Sequence, residues 1–222
     1  MITVINESNR RVSIPSWVVD LESFRRWADA DDFPEDGRAW YLKGEVWIDM
    51  SKEQIFTHLA VKREFFFVLT GLVKAEGLGL FLPDGLLLSN EAADISGKPD
   101  ATFVSSASIE AKQVHLIEGW DGGFVEMEGS PDMVLEVVST SSVHKDTVVL
   151  RQAYWQAGIR EYWLVDARHE PVRFDTLRRT ARGYAATRKG DGWLRSAVFD
   201  KSFQLSQHVN ALEHPEYTLA VR

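Results

Sequence analysis

The chain has 222 residues, 45% of them apolar, with eight tryptophans, no cysteine and a formal net charge of −8. That size and apolar content fit one elaborated domain with a sizeable core and exclude a disordered chain. The absence of cysteine excludes disulfides and thiolate metal sites, and the acidity counts against the simplest nucleic-acid binder, which needs clustered Lys and Arg.

The opening Met1-Ile2-Thr3-Val4 lacks the order of a signal peptide, and no apolar stretch is long enough to span a bilayer. A cytoplasmic protein is expected. Residues 20–28 read as a short helix capped by Asp20. After a polar stretch, residues 39–42 and 46–50 read as a hairpin about Lys43-Gly44-Glu45. Ser51-Lys52-Glu53-Gln54 has a capping-box pattern and predicts a helix to about Glu76, ended by Gly77. Along it Ile55, Leu59, Phe66, Leu69 and Val73 recur at helical spacing. Strands are expected over residues 78–82, 85–88, 101–104, 113–117 and 133–138. A helix over residues 144–157, ended by Gly158, then leads to a strand over 161–165, which has the shape of a parallel crossover. Alternation over 172–175, 183–187 and 193–198 predicts an antiparallel meander. The elements together predict a mixed α/β sheet.

The densest chemical information lies between Pro131 and Asp166. Glu136 sits inside the apolar run Met133-Val134-Leu135-Glu136-Val137-Val138, where a carboxylate is costly without a cation, a metal or hydrogen bonds. Asp100 opens the second such run, Ala101-Thr102-Phe103-Val104. Two carboxylates entering from buried strands suit a divalent cation and phosphodiester hydrolysis, with the Val137 carbonyl as a further ligand. Lys145 is the nearest lysine downstream of Glu136, at a helix start where its charge opposes the dipole. Asp146 reads as an ordinary helix-start residue. Arg151 and Tyr154 read as packing residues of the crossover helix, and His58 as either a site neighbour or a structural histidine. Arg173, Arg178, Arg179, Arg182 and Arg188, followed by Lys189 and Arg195, read as a solvated hairpin face or a phosphate-binding patch. Paired carboxylates also serve glycoside hydrolases, but no tryptophan-lined groove is tied to these two acids.

The run from Pro131 to Ser139, with Asp146, Tyr154, Ala157-Gly158-Ile159 and Glu161-Tyr162-Trp163-Leu164-Val165-Asp166, resembles the Uma-type putative restriction endonuclease family. That family lies in the PD-(D/E)xK, restriction-endonuclease-like superfamily. Gly44-Glu45, His58, Gly77-Leu78-Gly79 and Pro99-Asp100 add to the likeness, which covers residues 39–205. The resemblance implies a mixed sheet flanked by helices, with an antiparallel β-rich C-terminal extension after the core and residues 1–38 as an N-terminal extension of one domain. It implies Mg²⁺-dependent DNA cleavage, with Mn²⁺ as a substitute. By this resemblance Asp100 and Glu136 would hold the metal, and His58 and Glu45 would stand beside the site. The chain departs from the pattern at the lysine. Val138 occupies the position two past the acid, and Leu150 the helix position where many relatives carry one. Lys145, or Arg151, must substitute; otherwise the chain is a nuclease-like binding or assembly module. Double-strand cleavage uses two active sites, so a homodimer is expected.

Overall fold

The computed structural model describes residues 2–5, 11–34, 38–49, 51–119 and 122–222. Its centre is a six-stranded sheet in the order Gly183–Ala186, Arg173–Thr180, Glu161–Asp166, Met133–Val137, Ala101–Ser105, Gly79–Pro83. Met133–Val137 and Glu161–Asp166 run parallel, in register from Met133↔Glu161 to Val137↔Val165; the other neighbours are antiparallel. These two strands are almost continuously buried, which is why they read as unbroken apolar runs rather than alternating ones. The crossover between them is a helix, Leu150–Gln156, entered through a π-type turn at Lys145–Val149.

A long helix, Ala60–Glu76, also entered through a π-type turn at Ile55–Leu59, covers one face of the sheet. It buries Val61, Phe65, Leu69 and Val73 against Phe103, Met133, Leu135 and Trp163. Each such side chain is worth about 1.5–3 kcal/mol when fully withdrawn from water. Gly77, at φ 64°, ends the helix in the left-handed conformation that glycine adopts without steric cost. On the opposite face Leu150, Ala153 and Tyr154 pack with Val134 and Tyr162. Trp40, Leu88 and Met127 of a second six-stranded sheet close over them.

Several expectations need correction. Ser51–Gln54 makes no capping box: the helix opens at Ile55 with no side-chain cap, and Glu53 points instead into an ion network. Leu69 and Val73 are buried as expected, but the first turns of the expected stripe are displaced. Ile55 and Leu59 are 64% and 42% exposed, while His58 and Lys62 are buried. The expected meander is split, because Leu194–Ser196 pairs with Lys201–Val209 in a separate three-stranded sheet and not with Gly183–Ala186. The strand Phe124–Gly129 escapes an apolar reading because it carries Glu126 and Glu128, both ion-paired with Arg25. Helix Leu21–Ala28 has its Asp20 cap as expected, and the first hairpin forms from Arg38–Leu42 and Glu45–Asp49. Met50, placed in that hairpin from sequence, lies outside the described residues.

Candidate active site

Asp100 precedes the strand Ala101–Ser105, and the antiparallel pairs Met133↔Phe103, Val134↔Thr102 and Leu135↔Ala101 set it opposite Glu136, one step beyond the last pair. The Val137 N–H donates to Asp100 Oδ2 at 2.7 Å and fixes the carboxylate at that step. Both acids are buried, 1% and 2% exposed. Residues opposite one another on antiparallel strands share a face, so backbone register alone brings these acids together.

On the Asp100 side the charge is met by cations. Asp100 Oδ1 accepts from Arg38 Nη1 at 2.7 Å and lies 3.6 Å from Lys62 Nζ. Both cations are shared with other acids: Lys62 Nζ contacts Glu53 Oε1 at 2.9 Å and Asp84 Oδ2 at 2.5 Å. Arg38 Nη2 pairs with Glu53 and reaches Asp84 Oδ2 at 3.0 Å. The His58 ring lies between two carboxylates, with Nε2 3.7 Å from Asp100 Oδ2 and Nδ1 3.5 Å from Glu53 Oε2. Nδ1 makes no hydrogen bond. Burial alone would raise the Asp100 carboxyl, but Arg38, then His58, Lys62 and the Val137 N–H outweigh it and hold it below the ordinary range. At Glu53 burial is likewise overcome, by His58, Lys62 and Arg38, and the carboxyl falls to about 2.

The Glu136 side is different. Its Oε1 accepts from the Tyr154 hydroxyl at 2.7 Å. Lys145 Nζ sits 4.6 Å from the centroid of the Trp40 ring and bonds Asp146 Oδ1 at 2.6 Å, while the Ser142 hydroxyl donates to Asp146 Oδ2. Burial pushes the Glu136 carboxyl well above the ordinary range; Lys145 opposes the shift, and Asp100 and Asp146 add to it.

The structure thus brings Asp100, Glu136, Lys145 and His58 together. It does not bring Glu45, which is exposed and accepts a hydrogen bond from Trp47 of its own strand. Leu150 is fully buried among apolar side chains, and Arg151 bonds the Tyr184 carbonyl at the far edge of the sheet. Asp146 is more than a helix-start residue, being buried and held from two sides. Tyr154 does more than pack. Arg38, Glu53, Lys62 and Asp84 were not legible as site residues. The one signal for Lys62 is that it interrupts the buried stripe of its helix.

The sequence profile of the Uma2 family, described as putative restriction endonucleases, matches residues 21–208. The chain belongs to that family. The Uma2 match spans both six-stranded sheets, the crossover helix and every residue of the ion network. A solved structure, described as a putative nuclease belonging to DUF820 from Anabaena variabilis, superposes with a TM-score of 0.61 at 16% identity. The alignment covers 82% of this chain and 91% of that one, a likeness of fold that agrees with the expected restriction-endonuclease-like α/β class. No curated protein is significantly similar to this chain. Among the described residues no helix is long and apolar enough to cross a membrane.

The donor set of this Uma2 chain fits a divalent cation. Asp100, Glu136, Glu53, Asp84 and Asp146 are five carboxyl groups around three permanent cations, Arg38, Lys62 and Lys145, and burial raises Glu136 and Asp146, the two that those cations serve least. Asp49 at the rim, held by Ser51 and Ser141, adds a further carboxyl group. Glu53, His58 and Asp100 each offer a ligand atom within 4.8 Å of the others; Glu136 lies outside that trio. A cation beside Asp100 and Glu136 would supply the charge that Glu136 lacks.

Proposed function

We propose that the protein is a metal-dependent DNA endonuclease that hydrolyses phosphodiester bonds at Asp100 and Glu136, with Mg²⁺ as the ion and Mn²⁺ as a substitute. The observation that carries the reading is the cross-strand pair itself: two buried acids held side by side by strand register, one of them fixed by the Val137 N–H. Asp100 and Glu136 would hold the ion, with Glu53 and His58 next to Asp100. When bound, the ion would lower the pKa of a water and offset charge on the phosphate. The chain's own residues prepare the rest. Lys145, fixed by Asp146 and the Trp40 ring, presents a permanent positive charge beside Glu136, where it would stabilise charge building on phosphorus. Tyr154 orients the Glu136 carboxyl. Two active sites in a homodimer would cut both strands.

The test is incubation of purified protein with supercoiled plasmid, with and without Mg²⁺ or Mn²⁺, beside Glu136→Ala. Metal-dependent nicking by the wild type alone is expected. Absence of cleavage in every divalent metal, or equal cleavage by the variant, would discard the reading. A second reading rests on Arg38 and Lys62, which already neutralise much of the Asp100 charge, and on the apolar Leu150: a nuclease-like fold kept as a binding or assembly module. Calorimetry with Mn²⁺ separates the two, since a module without turnover need not bind metal at Asp100 and Glu136.

A further inference from the structure

The basic residues that crowd the C-terminal part in sequence are divided by the fold. Arg178 pairs in register with Glu161, and Arg182 sits in the turn between the last two strands of the central sheet. Both lie at the end of the sheet remote from Asp100 and Glu136. Arg173 is opposite Asp166, at the other end of the same strand. The register Glu136↔Leu164↔Asp175 runs straight across the sheet from the candidate site. Residues two apart on a strand share a face, so Arg173 lies on the same face as Asp175 and Glu136. The chain then returns: the Thr187 N–H bonds the Thr176 carbonyl, and Lys189 Nζ reaches Asp175 Oδ1 at 3.8 Å. Arg173 Nη2 is 3.8 Å from Asp175 Oδ2. Arg173 and Lys189 are 75% and 47% exposed, so one half-exposed carboxylate is shared by two cations that still face water, and Arg188 beside them is exposed too. By strand spacing the row from Glu136 to Asp175 covers about 10 Å, the reach from a scissile phosphate to phosphates a few nucleotides away.

We infer that Arg173 and Lys189, with Arg188, form a phosphate-binding track that seats the backbone of duplex DNA beside the Asp100–Glu136 site, whereas Arg178 and Arg182 do not touch it. The inference rests on the nuclease reading for its ligand, but it is tested by binding rather than by cleavage. A fluorescein-labelled duplex is titrated by anisotropy across a KCl series, in EDTA and again in Ca²⁺, with wild type, Arg173→Ala/Lys189→Ala and Arg178→Ala/Arg182→Ala. All four side chains are exposed, so both variants should keep the wild-type melting temperature. The first pair should bind on the order of tenfold more weakly and flatten the dependence of log K on log salt by about 2. The second should match the wild type. Equal losses in both pairs, or none in the first, would overturn the track. Wild type that binds no duplex in either buffer would overturn both the track and the DNA substrate. Selective loss of binding by the first pair, without plasmid cleavage by wild type, would leave the track standing and remove the nuclease.

Discussion

Asp100 and Glu136 are neighbours across two strands, equally buried, yet they have opposite electrostatic surroundings. Asp100 is anchored by a backbone N–H and faces Arg38, Lys62 and His58, so its carboxylate is favoured despite burial. Glu136 has one tyrosine hydroxyl and a lysine already bonded to another acid, so its carboxyl is pushed up. The difference teaches that burial alone does not set ionisation; the supply of donors and cations does. Under the proposed reading, one acid stands ready as an anion, and the other would ionise beside an incoming cation.

The largest effect should come from stripping the Asp100 side. Arg38→Met leaves Asp100, Glu53 and Asp84 to share Lys62 and should cost about 2 kcal/mol in urea unfolding, a value discounted because the arginine is partly exposed. A loss near zero would mean that the network does not need it.

Glu136→Gln should move stability the other way. A carboxyl whose folded value is raised contributes stability below its ordinary value of 4.5, and that contribution is lost as pH climbs through the folded value. Metal-free Glu136→Gln should therefore be more stable than wild type by about 1 kcal/mol at pH 8, and no different well below the ordinary carboxyl range. Asp100 and Glu53 run in the opposite direction: their contribution is present above the ordinary values and fades as pH falls through the lowered ones, near 2 for Glu53. Melting curves across pH would expose both arms, and a flat difference between variant and wild type would break the contrast.

The pattern of what sequence revealed follows from the same physics. Glu136 and Asp100 were legible because each interrupts or opens a run that is otherwise apolar, and the crossover because its two strands are buried on both faces. The network around Asp100 was not. Arg38 begins a hairpin strand, Glu53 lies inside the capping-box pattern that Ser51 and Gln54 suggest, and Asp84 lies between two strands, so each has a sufficient local explanation. Only the fold brings them to Lys62. Glu45 fails for the converse reason, since likeness of motif named it but its strand turns it to solvent.

The smallest expected effect is Tyr154→Phe. Removing the 2.7 Å hydrogen bond should cost about 0.5 kcal/mol where Glu136 is ionised, and less where it is protonated. A penalty unchanged by pH would show that the tyrosine only packs.

The central claim is that the two opposed acids hold one ion between them. Calorimetric titration of Mn²⁺ into metal-free wild type, Asp100→Asn and Glu136→Gln tests it directly. The account predicts one ion per chain in the wild type and at least roughly tenfold weaker binding in both variants, since each removes a charged ligand. Wild-type affinity in Glu136→Gln, whether or not Asp100→Asn binds, would contradict it.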